Sequence, residues 1–161
     1  MFSFVENDLL IPEDHDIRYE SSPFKNLKNM LPRTKGSRFE KIVHDVYVKL
    51  GYSVSLSKET SYDRLINDRK CEIKGSTLVK NRDIFSFLQI RPDQNYDVII
   101  FAMFYPNELI LMEMTKKTVE LNISKKIFKK QHGGNKANSR TYCYYGNRES
   151  LQEIGAKEIN E

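Results

Sequence analysis

Several signatures that would assign a chain to a class early are missing from these 161 residues. Cysteine is scarce: Cys71 and Cys143 form no CxxC pair, which excludes a disulfide framework and gives no sign of a zinc knuckle. Long apolar runs are absent too. The longest, Val98 to Phe104, falls far short of the roughly 20 residues that a membrane helix requires. The opening Met1-Phe2-Ser3-Phe4-Val5-Glu6 has neither the basic start nor the apolar stretch of a secretory signal. A reducing, cytoplasmic location without membrane contact is therefore the default expectation. The chain shows no P-loop, no dinucleotide-binding glycine pattern and no Ser/His nucleophile pair. Internal repeats and low-complexity tracts are lacking as well.

What is present is a hydrophobic share of 39% beside 30% charged residues, the balance of a soluble globular protein. The length suits a single domain. Net charge is only +4, but it is unevenly spread. Residues 1–22 hold six acids and one base, a net −5 that leaves +9 for the rest. An acidic arm thus precedes a basic body. From Leu121 to Arg148 there are seven Lys/Arg and no acid. Such a field concentrates a polyanion, although a solvated surface explains the charge equally well.

Periodicity organises the remainder. Ser22-Pro23 reads as a helix start, with Phe24, Leu27 and Leu31 on one face and Pro32 as the stop. Residues 33–36 read as a connector. Ser37 with Glu40 reads as a capping box opening the strongest helix, whose stripe is Phe39, Ile42, Val43, Val46 and Leu50, and Gly51 ends it. The period then drops to two through Tyr52, Val54 and Leu56. Further strands are expected over 62–66, 70–77, 97–104, 109–114 and 141–145, while 84–89 is ambiguous between strand and helix. Residues 124–131 read as a short basic helix closed by Gly133-Gly134. Ser150 with Glu153 reads as the cap of a last helix.

The segment carrying chemistry runs from Tyr62 to Lys74. Asn67-Asp68 is a two-residue hairpin turn. Counting back from it, Ile66 faces Arg69, Leu65 faces Lys70, Arg64 faces Cys71 and Asp63 faces Glu72. Lys74, two residues on, emerges on the face of Glu72, while Cys71 and Ile73 point into a core. Opposed side chains in a sheet lie about 5 Å apart, where like charges destabilise it. Two carboxylates at that separation repel by roughly 3 kcal/mol at an effective dielectric near 20. A divalent cation turns this repulsion into attraction, and magnesium asks for only one or two carboxylates. Lys74 would then align the attacking water and offset charge on a phosphorane. The bland alternative is a surface hairpin with a Glu72–Lys74 pair worth less than about 1 kcal/mol.

A Glu-bearing helix, then Asp, then Glu-x-Lys on the next strand resembles the PD-(D/E)xK nucleases. Gly36-Ser37-Arg38-Phe39-Glu40 resembles the family's helix, with Glu40 at its frequent extra acid. Phe85-Ser86-Phe87-Leu88-Gln89-Ile90-Arg91-Pro92, followed by Tyr96-Asp97, is similar to segments of small type II restriction enzymes and their subunits, as is Gln131-His132-Gly133-Gly134-Asn135-Lys136. Tyr62 stands where the motif's name has Pro. The resemblance covers about residues 36–148, the expected catalytic core.

That resemblance implies an α/β restriction-endonuclease-like core, a central mixed β-sheet flanked by helices. It implies Mg2+ held by Asp63, Glu72 and the Ile73 carbonyl. Lys74 becomes the catalytic base or water-positioning group. Glu40 would hold a second metal or a metal-bound water, unless it merely caps its helix. Gln89 would approach the scissile phosphate, or hydrogen-bond within the sheet. Lys129, Lys130, His132, Lys136 and Arg140 are the expected DNA contacts. His44 and His15 read as ordinary surface residues. The expected activity is hydrolysis of double-stranded DNA, with a homodimer partner or a second nuclease or recognition subunit completing a double-strand cut. A non-catalytic DNA-binding or assembly module with the same fold, and a repair nuclease acting on DNA structure, are the alternatives.

Overall fold

In a computed structural model, residues 15–131 and 140–160 are described. Turn chemistry builds the first sheet. Asn67 and Asp68 both take positive φ, 48° and 63°, as a two-residue type I′ turn requires. Around that turn β2 (Arg64–Ile66) pairs with β3 (Arg69–Thr77) in the register Arg64↔Cys71, Leu65↔Lys70, Ile66↔Arg69. β1 (Val54–Leu56) lies outside β2, and β3 runs parallel to β5 (Val98–Phe104). β5 pairs antiparallel with β6 (Leu109–Thr115), and β9 (Lys157–Glu158) adds to β6. The result is a mixed six-stranded sheet in the order β1-β2-β3-β5-β6-β9. Every residue of β5 is buried, as a strand covered on both faces should be.

One face is covered by helices α1 (Lys25–Asn29) and α2 (Pro32–Lys49). Phe39, Val43 and Tyr47 of α2 share a core there with Ile73, Ile100, Ala102 and Phe104. The other face carries a three-stranded sheet, β4 (Phe85–Ile90), β8 (Tyr142–Gly146) and β7 (Lys129–Lys130), in the order β4-β8-β7. α3 (Lys116–Ser124) and α4 (Arg148–Glu153) complete that layer. Phe85, Phe87, Ile99, Phe101 and Met103 fill the space between. This is a mixed α/β fold with a central mixed sheet flanked by helices. Among the described residues no helix is long and apolar enough to cross a membrane.

Several local expectations need correction. Pro32 opens the long helix rather than stopping the one before it. Leu31 is extended (ψ 143°), as a residue before proline must be, and the fixed φ of Pro32 suits the first helical position. Residues 33–36 are therefore helical, and Ser37 and Glu40 lie inside α2 rather than at its cap. The expected basic helix over 124–131 is not formed: α3 ends at Ser124, Lys126 turns into positive φ (59°), and Lys129 and Lys130 pair with β8. The last helix is capped by Asn147 with Ser150, not by Ser150 with Glu153. Residues 84–89 resolve as strand β4. The end of the acidic arm belongs to the core: Tyr19 is buried, and its hydroxyl donates to the Phe104 carbonyl at 2.5 Å and accepts from the Leu78 amide.

Candidate active site

The site lies where β2 runs out. β2 pairs with β3 only as far as Cys71, and among the described residues no strand continues that edge beyond it. Asp63 sits just before β2. Its amide donates to the Cys71 carbonyl at 2.9 Å, the last rung of the ladder. Its side chain supplies the next rung: Oδ2 accepts the Ile73 amide at 2.7 Å. A carboxylate thus replaces the backbone acceptor that a longer strand would offer, which holds Asp63 against β3.

Alternation does the rest. Cys71 and Ile73 are buried beneath α2, so Glu72 and Lys74 point the other way, with 15% and 19% of their side chains exposed. Lys74 Nζ lies 3.5 Å from Glu72 Oε1. Asp63 lies near enough to Glu72 and to Glu40 to raise the pKa of both carboxyls. Glu40 arrives from α2 because α2 comes very close to β3. A Cβ on Gly75 would lie 2.3 Å from the Phe39 ring, so only glycine admits that ring next to Glu40. Three carboxylates and one ammonium meet at the open edge.

Electrostatics record the crowding. Burial first, then hydrogen bonding with Asp63, pushes the Glu72 carboxyl up to about 8, against the pull of Lys74. Burial, followed by the charge of Asp63, pushes Glu40 up to about 7. Both carboxyls therefore hold protons more tightly than an isolated glutamate does. Among the described residues no group of three or more His, Cys, Asp or Glu side chains has the spacing of a metal cage. Asp63 Oδ2 is committed to the Ile73 amide.

A cleft of about 520 Å³ opens on this edge, lined among others by Glu40, Glu72, Lys74, Leu88 and Gln89. Asp63 is not part of its lining and joins the cluster from the β2 side. Gln89 reaches the cleft through a bulge between Phe87 and Ile90, where its φ is +56°. Such bulges re-aim side chains at the margins of sites. The Gln89 amide donates to Gln131 Oε1 at 2.6 Å. Lys129, Lys130 and Arg140 are exposed on the β7–β8 hairpin. His132 and Lys136, with Gly133 and Gly134, lie outside the described residues.

Two residues with a part here escaped the sequence reading. Arg64 Nε donates to His44 Nδ1 at 3.0 Å, and its Nη1 donates to the Asp63 carbonyl at 2.8 Å and lies 3.7 Å from Glu40 Oε2. His44 accepts this bond as a neutral ring, and burial and the guanidinium hold its imidazole below the usual range. The signal was the i, i+4 spacing of Glu40 and His44, which shows only once the helix is known to face the hairpin. Gln131 is the other; nothing local to its sequence points at Gln89.

No family model matches the chain, and no curated protein matches it in sequence. Among solved structures, that of a bacterial homing endonuclease aligns over 73% of this chain and 76% of that one, with 13% identity and a TM-score of 0.47. At that level of likeness the chemistry rests on the chain's own residues.

Proposed function

We propose that this protein is a magnesium-dependent DNA endonuclease of the restriction-endonuclease-like kind, with Asp63, Glu72 and Lys74 at its centre. One observation carries the reading: Asp63, Glu72 and Glu40 crowd together beside Lys74 at the open edge of β3, where Glu40, Glu72 and Lys74 line a cleft wide enough for a phosphate. A fold gains nothing from that crowding by itself, because burial and mutual repulsion raise the cost of ionising each carboxyl. An all-oxygen donor set with surplus negative charge fits a hard divalent cation, and magnesium needs only one or two of these carboxylates. Asp63 and Glu72 would hold it, with the Ile73 carbonyl as the expected third donor. Bound there, the ion supplies Lewis-acid polarisation of the phosphate and lowers the pKa of water.

The remaining steps belong to the side chains. Lys74, anchored at 3.5 Å by Glu72, orients the attacking water and balances the charge that grows on the phosphate oxygens. Gln89 faces the same cleft and contacts the phosphate next to the bond that breaks. Lys129, Lys130 and Arg140 on the β7–β8 hairpin bind backbone phosphates of a duplex, where sequence-independent attraction dominates affinity. One site cuts one strand, so a double-strand cut takes a second copy or a partner subunit, as in a type II restriction endonuclease or its small catalytic subunit.

The test is incubation of supercoiled plasmid with the protein and Mg2+, alone and with partner proteins, following nicked and linear products. Asp63→Asn and Lys74→Ala should each lower cleavage by about 10²–10⁴-fold while duplex binding and folding persist. Undiminished cutting by both variants would sink the reading.

A further inference from the structure

Arg64 is the least expected member of the cluster. Only 12% of its side chain is exposed, although it carries a full charge that deprotonation cannot remove. Two of its nitrogens are engaged: Nε donates to His44 Nδ1, and Nη1 donates to the Asp63 carbonyl and lies 3.7 Å from the Glu40 carboxylate. These partners come from two of the elements that build the site, α2 and the approach to β2. The guanidinium therefore lies between Glu40 and the main chain of Asp63.

We propose that Arg64 is the built-in cation of this site, a positioning residue that claims Glu40 and restricts the cluster to a single divalent ion between Asp63 and Glu72. The inference rests on the metal-dependent reading above and narrows it. Charge counting supports it. With all three carboxylates ionised, three negative charges face the two positive charges of Lys74 and Arg64. One divalent ion turns that deficit of one into a surplus of one, and a second would raise the surplus to three in a partly buried site. Geometry agrees, because a second ion at Glu40 would have to displace a guanidinium fixed by His44 and a carbonyl. A planar, forked donor suits this role better than an ammonium would.

The experiment counts bound Mn2+ on the full chain without DNA, by the loss of the free-ion electron paramagnetic resonance signal during titration at mildly alkaline pH. The wild type should bind one ion per chain. Arg64→Met should bind two, the second more weakly, and Arg64→Lys should still bind one. In Glu40→Gln, which keeps the side-chain shape if Arg64→Met does not fold, the count should stay at one. Two ions on the wild type, one ion on folded Arg64→Met, or loss of binding in Glu40→Gln overturns the inference and leaves the nuclease reading standing. No ion on the folded wild type overturns both.

Discussion

The Asp63 carboxylate accepts the main-chain N–H of Ile73 at 2.7 Å, two residues beyond the point where its own strand stops pairing. One oxygen of the residue proposed to hold a metal ion thus also closes the sheet edge. Structure and chemistry at this position can be separated. Asp63→Ala leaves the Ile73 amide without its acceptor and should cost about 1–3 kcal/mol of stability. Asp63→Asn retains a carbonyl oxygen and should unfold close to the wild-type denaturant midpoint, yet fail to cleave. Equal midpoints for the two variants would show that the Ile73 bond contributes nothing.

Stability of the metal-free chain should fall as pH rises. Glu72 is pushed up to about 8 and Glu40 up to about 7, whereas unfolded glutamate titrates near about 4.3. Between those values the folded state binds more protons than the unfolded one, so raising pH favours unfolding. The stabilisation is complete below about pH 4.3 and exhausted above about 8. Added Mg2+ should accordingly raise Tm by more at the alkaline end of this window than at the acid end, since only ionised carboxylates hold it. Thermal melts with and without Mg2+ across the window measure the difference; a flat Tm in metal-free protein contradicts it.

Gly75→Ala should uncouple α2 from the cluster. The added Cβ would meet three atoms of Phe39, the nearest at 2.3 Å, and that ring is stacked on Phe104 with centroids 4.7 Å apart. It has nowhere to swing, so the helix must move and carry Glu40 with it. Overpacking of this kind costs about 1–3 kcal/mol. A denaturant midpoint unchanged from wild type would mean that α2 yields freely.

Gln131 should govern the strained backbone at Gln89. Its side-chain oxygen holds the Gln89 amide while that residue sits at φ +56°, a region in which a non-glycine residue carries a cost of about 1–3 kcal/mol. Gln131→Ala should speed hydrogen exchange at the Gln89 amide, and Gln131→Glu, which keeps an acceptor oxygen, should restore protection. Exchange that ignores both substitutions would assign the bulge to strand packing alone.

The hairpin was legible in the chain because its determinants are local. Asn67-Asp68 selects the turn, period-two burial selects the face, and together they place Asp63, Glu72 and Lys74 in register. The helix start was misread for an equally local reason. Pro32 ends one helix or begins another on the same evidence, and Ser37 with Glu40 imitates a cap wherever it falls. Taking that cap at face value supplied Glu40 with a structural role that it does not have.

Pattern within ten or so residues therefore determined strands β1, β2, β3, β5 and β6, the turn and the acid–lysine triplet, since turn dihedrals and side-chain alternation depend only on neighbours in sequence. Tertiary structure alone decided that Glu40 meets Asp63, that His44 meets Arg64, and that Gln131 steadies Gln89. Those contacts join segments separated by 20 or more residues, and they exist because Phe39 lies against a glycine and because β2 ends early.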